Sequence, residues 1–237
     1  QHSMPAETGT PPRLRTHLTD ASGGLGYHLR AMRYRRTLWQ PFITELTRWL
    51  EQWRPPSRQL VLIGPSAGYT LPEDFLSRFE RVSVLEPDPL ARWLLKRRFT
   101  RQQLEFGNLD CLASPDGPDW LARRHATACL LFCNVLGQAP AISQHAGWAE
   151  TLRHALRHHH WASWHDVLSA TSPPLPQSND PTATAEDVGQ LASRFWRWPT
   201  KVLDHDSLGL VGHQDGFLLW QLTPRQWQLV EWGTHQP

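Results

Sequence analysis

The chain has 237 residues, 40% hydrophobic and 19% charged, a balance that supports a buried core and excludes a disordered chain or a collagen-like fibre. Its longest apolar run, Cys129-Leu130-Leu131-Phe132-Cys133, is far too short for a helical membrane span. The net charge is only +2, and the nine arginines of residues 1–58 stand against four acidic residues there, so the basic excess is N-terminal and the remainder nets −3.

That distribution does not give the basic face of a nucleic-acid-binding protein, and no nucleic-acid partner is expected. The three cysteines include no C-x-x-C pair and fit a reduced compartment. No charged segment followed by an apolar one opens the chain, so a cytoplasmic location is expected. Tryptophan is the oddity, with 13 of the 24 aromatic residues.

Residues 1–22 are aperiodic and rich in Pro, Thr and Gly, which reads as a flexible arm, with Gln1-His2-Ser3 as a tag remnant. Residues 23–58 form a helical leader or lid. Leu25, Leu29, Met32, Leu38, Phe42, Leu46, Trp49 and Leu50 recur at spacings near three and four, and Pro41 marks a break. From residue 59 short apolar runs alternate with helical patterns. The runs are 60–63, 82–85, 104–106, 128–132 and 161–164, and the helical pieces are 72–79, 87–98, 117–124, 143–159 and 185–197. This alternation predicts βα repeats and a parallel sheet. The runs 216–222 and 227–232, joined across Pro224, predict an antiparallel hairpin at the C-terminus. The expected fold over 59–237 is therefore α/β, a doubly wound, mostly parallel seven-stranded sheet ending in an antiparallel strand. The Pro-rich stretch 170–184 is its one long loop, placed to close a binding site.

The informative segment is LVLIGPSAGYTLP, residues 60–72. A buried strand enters Gly64-Pro65-Ser66-Ala67-Gly68, and the small residues let a ligand approach the backbone, with a helix N-terminus expected beyond. A tight strand-to-helix turn without a ligand reads the same way. Glu86, 18 residues past Gly68 at the end of the second strand, stands near the spacing at which an acid accepts ribose hydroxyls. Asp110 follows the third run and Asn134 the fourth. All four features fall at C-terminal strand ends, the edge at which open α/β sheets bind ligands.

A dinucleotide loop needs a third small residue where this chain has Tyr69. Loop and C-terminal hairpin together resemble the class I S-adenosylmethionine-dependent methyltransferase family, a Rossmann-like fold, over residues 59–233. The resemblance implies S-adenosyl-L-methionine as cofactor. Gly64, Pro65, Ser66 and Gly68 would form the loop on its methionine side, and Glu86, followed by Pro87, would hold the ribose. Leu109 and Asp110 would frame the adenine, and Asn134 and Val135 the sulfonium side. The chain departs from the family at Ser66, where the middle loop glycine is expected, and at Leu62, where an acid is expected.

No Asn-Pro-Pro-Tyr or Asp-Pro-Pro-Tyr motif follows the fourth strand, which turns the expectation from base or amide nitrogens to a heteroatom (O, N or S) of a small molecule or peptide. His165-Asp166, read as following the fifth strand, is the acid/base candidate, with a strand cap as the alternative role. In the leader, Tyr27 and His28 are further catalytic candidates. Arg30 and Tyr34 are candidates for an anionic substrate, and Trp39 and Trp164 for an apolar pocket. The histidine tract 154, 158, 159, 160 suits a helix C-terminus, and no metal site is expected. Two other functions share these features: an inactive methyltransferase-like scaffold, motivated by Ser66 and Leu62, and an RNA methyltransferase using the N-terminal arginines.

Overall fold

The apolar runs become strands because both of their faces are covered. In the computed structural model, which describes residues 24–107, 115–136, 147–176 and 183–237, β1 (Gln59–Ile63), β2 (Arg81–Leu85), β3 (Leu104–Gly107), β4 (Cys129–Cys133) and β5 (Trp161–Ala170) are parallel neighbours in the order β3-β2-β1-β4-β5. The hairpin β7 (Gln214–Thr223) and β8 (Gln226–His235) completes the sheet, with β8 antiparallel to β5. The doubly wound arrangement with an antiparallel last strand is as expected. The expected seven strands form the continuous path, and an eighth, the two-residue β6 (Leu203–Asp204), pairs with β5 off that path. Two residues are too few to leave a periodic signal.

The leader is two helices, α1 (Gly24–Tyr34) and α2 (Gln40–Gln52), with Pro41 in the first turn of α2, where its missing N–H costs nothing. It is less a separate lid than the cover of one sheet face. Phe42, Leu46 and Leu50 of α2 share a core with Leu60 and Leu62 of β1, Leu131 of β4, and Trp164 and Trp220. α1 differs from the pattern read in the sequence. Leu25, Leu29 and Met32 face outward, and the helix buries Tyr27, His28 and Ala31. The opposite sheet face is covered by α4 (Gly117–Arg124) and α5 (Trp148–Ala155), with Leu121, Leu152 and Leu156 against Val61, Ile63, Leu130 and Phe132. α3 (Pro89–Arg98) packs on the leader side through Leu95, and α6 (Val188–Phe195) packs on the far end of β5 and the hairpin.

Two sequence expectations change. Residues 72–79 contain a single 3-10 turn, Leu76–Arg78, in place of a helix. The loop after β1 therefore has no α-helix N-terminus behind it. Second, β5 runs on through residue 170, so His165 and Asp166 lie within the strand and not after it. The tail of β5 is held by β8 and β6, with an irregularity between Asp166 and Leu168. Part of the 170–184 loop, residues 177–182, lies outside the described residues. Among the described residues, no helix is long and apolar enough to cross a membrane.

Candidate functional site

In-register pairing brings Ile63, Leu85 and Phe132 side by side, so β1, β2 and β4 end level. The residues that follow, Gly64, Glu86 and Asn134, consequently share one edge. Strand order reverses between β1 and β4, and at such a switch point the loops diverge and leave a crevice.

The turn after β1 is built from left-handed backbone at Gly64 (φ 66°), Ser66 (φ 53°) and Gly68 (φ 69°). At Gly64 the requirement is also steric, since a β-carbon there would lie 2.0 Å from Cγ1 of Val135. Ser66 holds the same backbone region with a side chain, a strain of the kind concentrated at binding sites. Its N–H donates to Glu86 Oε1 at 2.7 Å, and the N–H of Asp88 donates to Oε2 at 3.0 Å. Glu86 is 0% exposed. Its carboxylate thus sits at the strand end, aimed by two backbone donors. Pro87 is half-buried beside it.

Asp88 caps α3 by accepting from Leu90 N–H at 2.9 Å, with Pro89 as the first helical residue. Its other oxygen, Oδ2, accepts from His28 Nε2 at 2.9 Å, and His28 Nδ1 is hydrogen-bonded to the Tyr69 hydroxyl at 2.6 Å. Burial pushes the Tyr69 phenol up to about 12, so it keeps its proton. Burial also raises the Asp88 carboxyl. The hydrogen bonds from His28 and Leu90 N outweigh it and hold the group below its ordinary value. His28, from the leader, is therefore in the candidate site. Its partners Tyr69 and Asp88 escaped the sequence reading, although Asp88-Pro89 is a legible helix start.

After β4, Asn134 takes up φ 53° and clips two strands together. Its Nδ2 donates to Asp166 Oδ2 at 3.1 Å, its Oδ1 accepts from Asp166 N at 3.0 Å, and its own N–H donates to Trp164 O at 2.7 Å. Asp166 and Asn134 thus stand together at the same edge, with Val135 buried under Gly64.

His165 points the other way. Side chains alternate along a strand, which puts it with Ser163 on the opposite face from Asp166. Its Nδ1 is hydrogen-bonded to Ser163 Oγ at 2.8 Å, its Nε2 donates to Glu231 Oε1 at 2.9 Å, and it is 0% exposed. Gly209 N and Gln214 Nε2 donate to the same carboxylate. This closed network fastens β5 to β8 and offers no ring nitrogen to a substrate, so the acid/base expectation for His165 does not fit its surroundings.

The remaining candidates divide. Tyr27 is buried among aromatic rings, 5.6 Å from Trp39 and 5.9 Å from Tyr69. Trp39 donates its indole N–H to Leu222 O and, like Trp164, is core around Phe42 and Trp220 in place of lining a pocket. Arg30 and Tyr34 are half-buried on α1. Leu109 and Asp110 lie outside the described residues. Among the described residues, no group of His, Cys, Asp or Glu could hold a metal ion.

No family model and no curated protein matches the sequence. Solved structures do. The N-methyltransferase NodS from Bradyrhizobium japonicum WM9 is 12% identical, covering 84% of this chain and 96% of its own, with a TM-score of 0.47. A SAM-dependent methyltransferase from Anabaena variabilis ATCC 29413 is 14% identical, covering 89% and 93%, with a TM-score of 0.48. The glycopeptide N-methyltransferase MtfA, solved with S-adenosyl-L-methionine, is 11% identical, covering 80% and 92%, with a TM-score of 0.40.

Proposed function

We propose that the chain is an S-adenosylmethionine-dependent methyltransferase acting on a heteroatom (O, N or S) of a small molecule or peptide. The observation that supports this most is the Glu86 carboxylate, buried at the end of β2 and aimed by the backbone of Ser66 and Asp88 beside the switch point of the sheet. A carboxylate so placed accepts from both hydroxyls of a ribose. The left-handed turn at 64–68 would face the amino-acid end of the cofactor, and Asn134 and Val135 would border the reacting side. When bound, S-adenosylmethionine supplies an electrophilic methyl group. Displacement at that carbon draws much of its rate from positioning, which requires no base. Asp166, held by Asn134 at the same edge, is the candidate base where an acceptor must lose a proton, with Arg30 and Tyr34 as candidates toward an anionic acceptor.

Protein incubated with methyl-labelled S-adenosylmethionine and fractionated small-molecule and peptide extracts should transfer label to a fraction, and Glu86→Ala should not. Cofactor binding with no transfer to any fraction would instead make the chain a scaffold of methyltransferase fold. Among the described residues of the basic N-terminal stretch, Arg48 and Arg58 are paired with Glu45 and Glu80.

A further inference from the structure

We infer that His28 is a positioning residue for the cofactor, setting its affinity through Asp88 and Glu86 and tying helix α1 to the occupancy of the site. This rests on the methyltransferase reading above. The bonds form one line: Tyr69 hydroxyl to His28 Nδ1, His28 Nε2 to Asp88 Oδ2, and Asp88 N–H to Glu86 Oε2. Each member is fixed by something else as well. Tyr69 follows the cofactor loop, and its carbonyl accepts from Arg35 at 2.9 Å. Asp88 caps α3, and Glu86 is held by Ser66. His28 is the one member contributed by the leader, and it is 2% exposed.

The physical case concerns two buried carboxylates, Glu86 and Asp88, two residues apart. Burial alone drives the Asp88 carboxyl toward its neutral form, and His28 supplies the hydrogen bond that opposes this. Without the imidazole, Asp88 must be neutralised or must turn toward water, and either move disturbs the N–H that aims Glu86. Affinity would then carry the cost of re-forming the ribose acceptor at each binding event. The coupling runs both ways, because a ligand that fixes Glu86 and Asp88 also fixes the partner of His28. α1 is suited to report it. The helix shows Leu25, Leu29 and Met32 to solvent and owes its seat to its inner face, where His28 makes its two polar bonds.

Calorimetry with S-adenosylhomocysteine, at a temperature where circular dichroism shows each variant folded, tests this together with hydrogen exchange of residues 24–34. His28→Ala should weaken binding at least about tenfold, the scale of a buried hydrogen bond to a charged group. His28→Gln, which keeps a donor for Asp88, should recover most of the loss, and Tyr69→Phe should lose less than His28→Ala. The ligand should slow exchange across α1 in the wild type and not in His28→Ala. Equal affinity of wild type and His28→Ala, or a lowered melting temperature as the sole effect, would overturn the inference while leaving the methyltransferase reading standing. A wild type that binds no S-adenosylhomocysteine would remove both.

Discussion

Gly64 and Val135 are packed so closely that a β-carbon on the glycine would lie 2.0 Å from the valine Cγ1. Gly64 follows β1 and Val135 lies two residues past β4, the neighbouring strands between which strand order reverses. Their contact closes the floor of the crevice in which the ligand is proposed to bind. Gly64→Ala meets both this overlap and a left-handed backbone, and should cost roughly 2–4 kcal/mol of stability. Adding Val135→Ala should return part of it, leaving about 1 kcal/mol of backbone strain plus the cost of the lost valine methyls. Urea unfolding of the two single variants and the double variant measures the coupling.

The network of Ser163, His165 and Glu231 makes a different kind of claim, because it separates a structural histidine from a catalytic one. His165→Ala leaves the buried Glu231 carboxylate short of a donor and opens a cavity, and should destabilise by about 3 kcal/mol. Ser163→Ala should cost about 1 kcal/mol. Both folded variants should bind S-adenosylhomocysteine as the wild type does, by calorimetry. A His165 variant of normal stability with lost methyl transfer would restore the catalytic role.

Asp88 fixes the sign of one pH effect. Its folded carboxyl is held below the ordinary value of about 3.9, so its contribution is complete above about pH 4 and is lost as pH falls through the lower folded value. Thermal unfolding between pH 7 and pH 3 should show a shallower acid limb for Asp88→Asn than for the wild type. Identical slopes would mean that the His28 and Leu90 bonds to Asp88 add nothing to the folded state.

Burial raises the thiol of Cys129 to about 12, and Cys133 is buried on the same strand. Neither should react with a thiol reagent at pH 8 in the native protein, and both should react after unfolding, as peptide mass spectrometry can determine. Early modification of Cys129 would place β4 nearer solvent than the sheet allows.

How much of this was legible depends on the range of the forces involved. The apolar runs predicted as β1 to β4 end within a residue or two of the strands, most plainly in β1 and β4, which are covered on both faces and apolar through their buried length. The apolar run 161–164 covers only the first four residues of β5. The six beyond it include His165, Asp166 and Ser169, and what lets polar side chains sit in a strand there is a set of partners on distant segments, Glu231 and Asn134 among them. The outward turn of Leu25, Leu29 and Met32 has the same origin, since α1 is seated by the partners of His28, 41 and 60 residues away. Gly64, Ser66 and Glu86 were visible because local spacing carries them. Trp39 and Trp164 were visible as aromatic residues, but their burial under α2 and the hairpin is a tertiary fact.

The central claim is that the Glu86 carboxylate is the ribose acceptor of an S-adenosyl cofactor. Isothermal calorimetry of S-adenosylhomocysteine against the wild type and Glu86→Ala tests it most directly. Saturable binding by the wild type, weakened at least about tenfold by the substitution in a protein that remains folded, is the predicted result. No binding by the wild type, or equal affinity in both proteins, would contradict it.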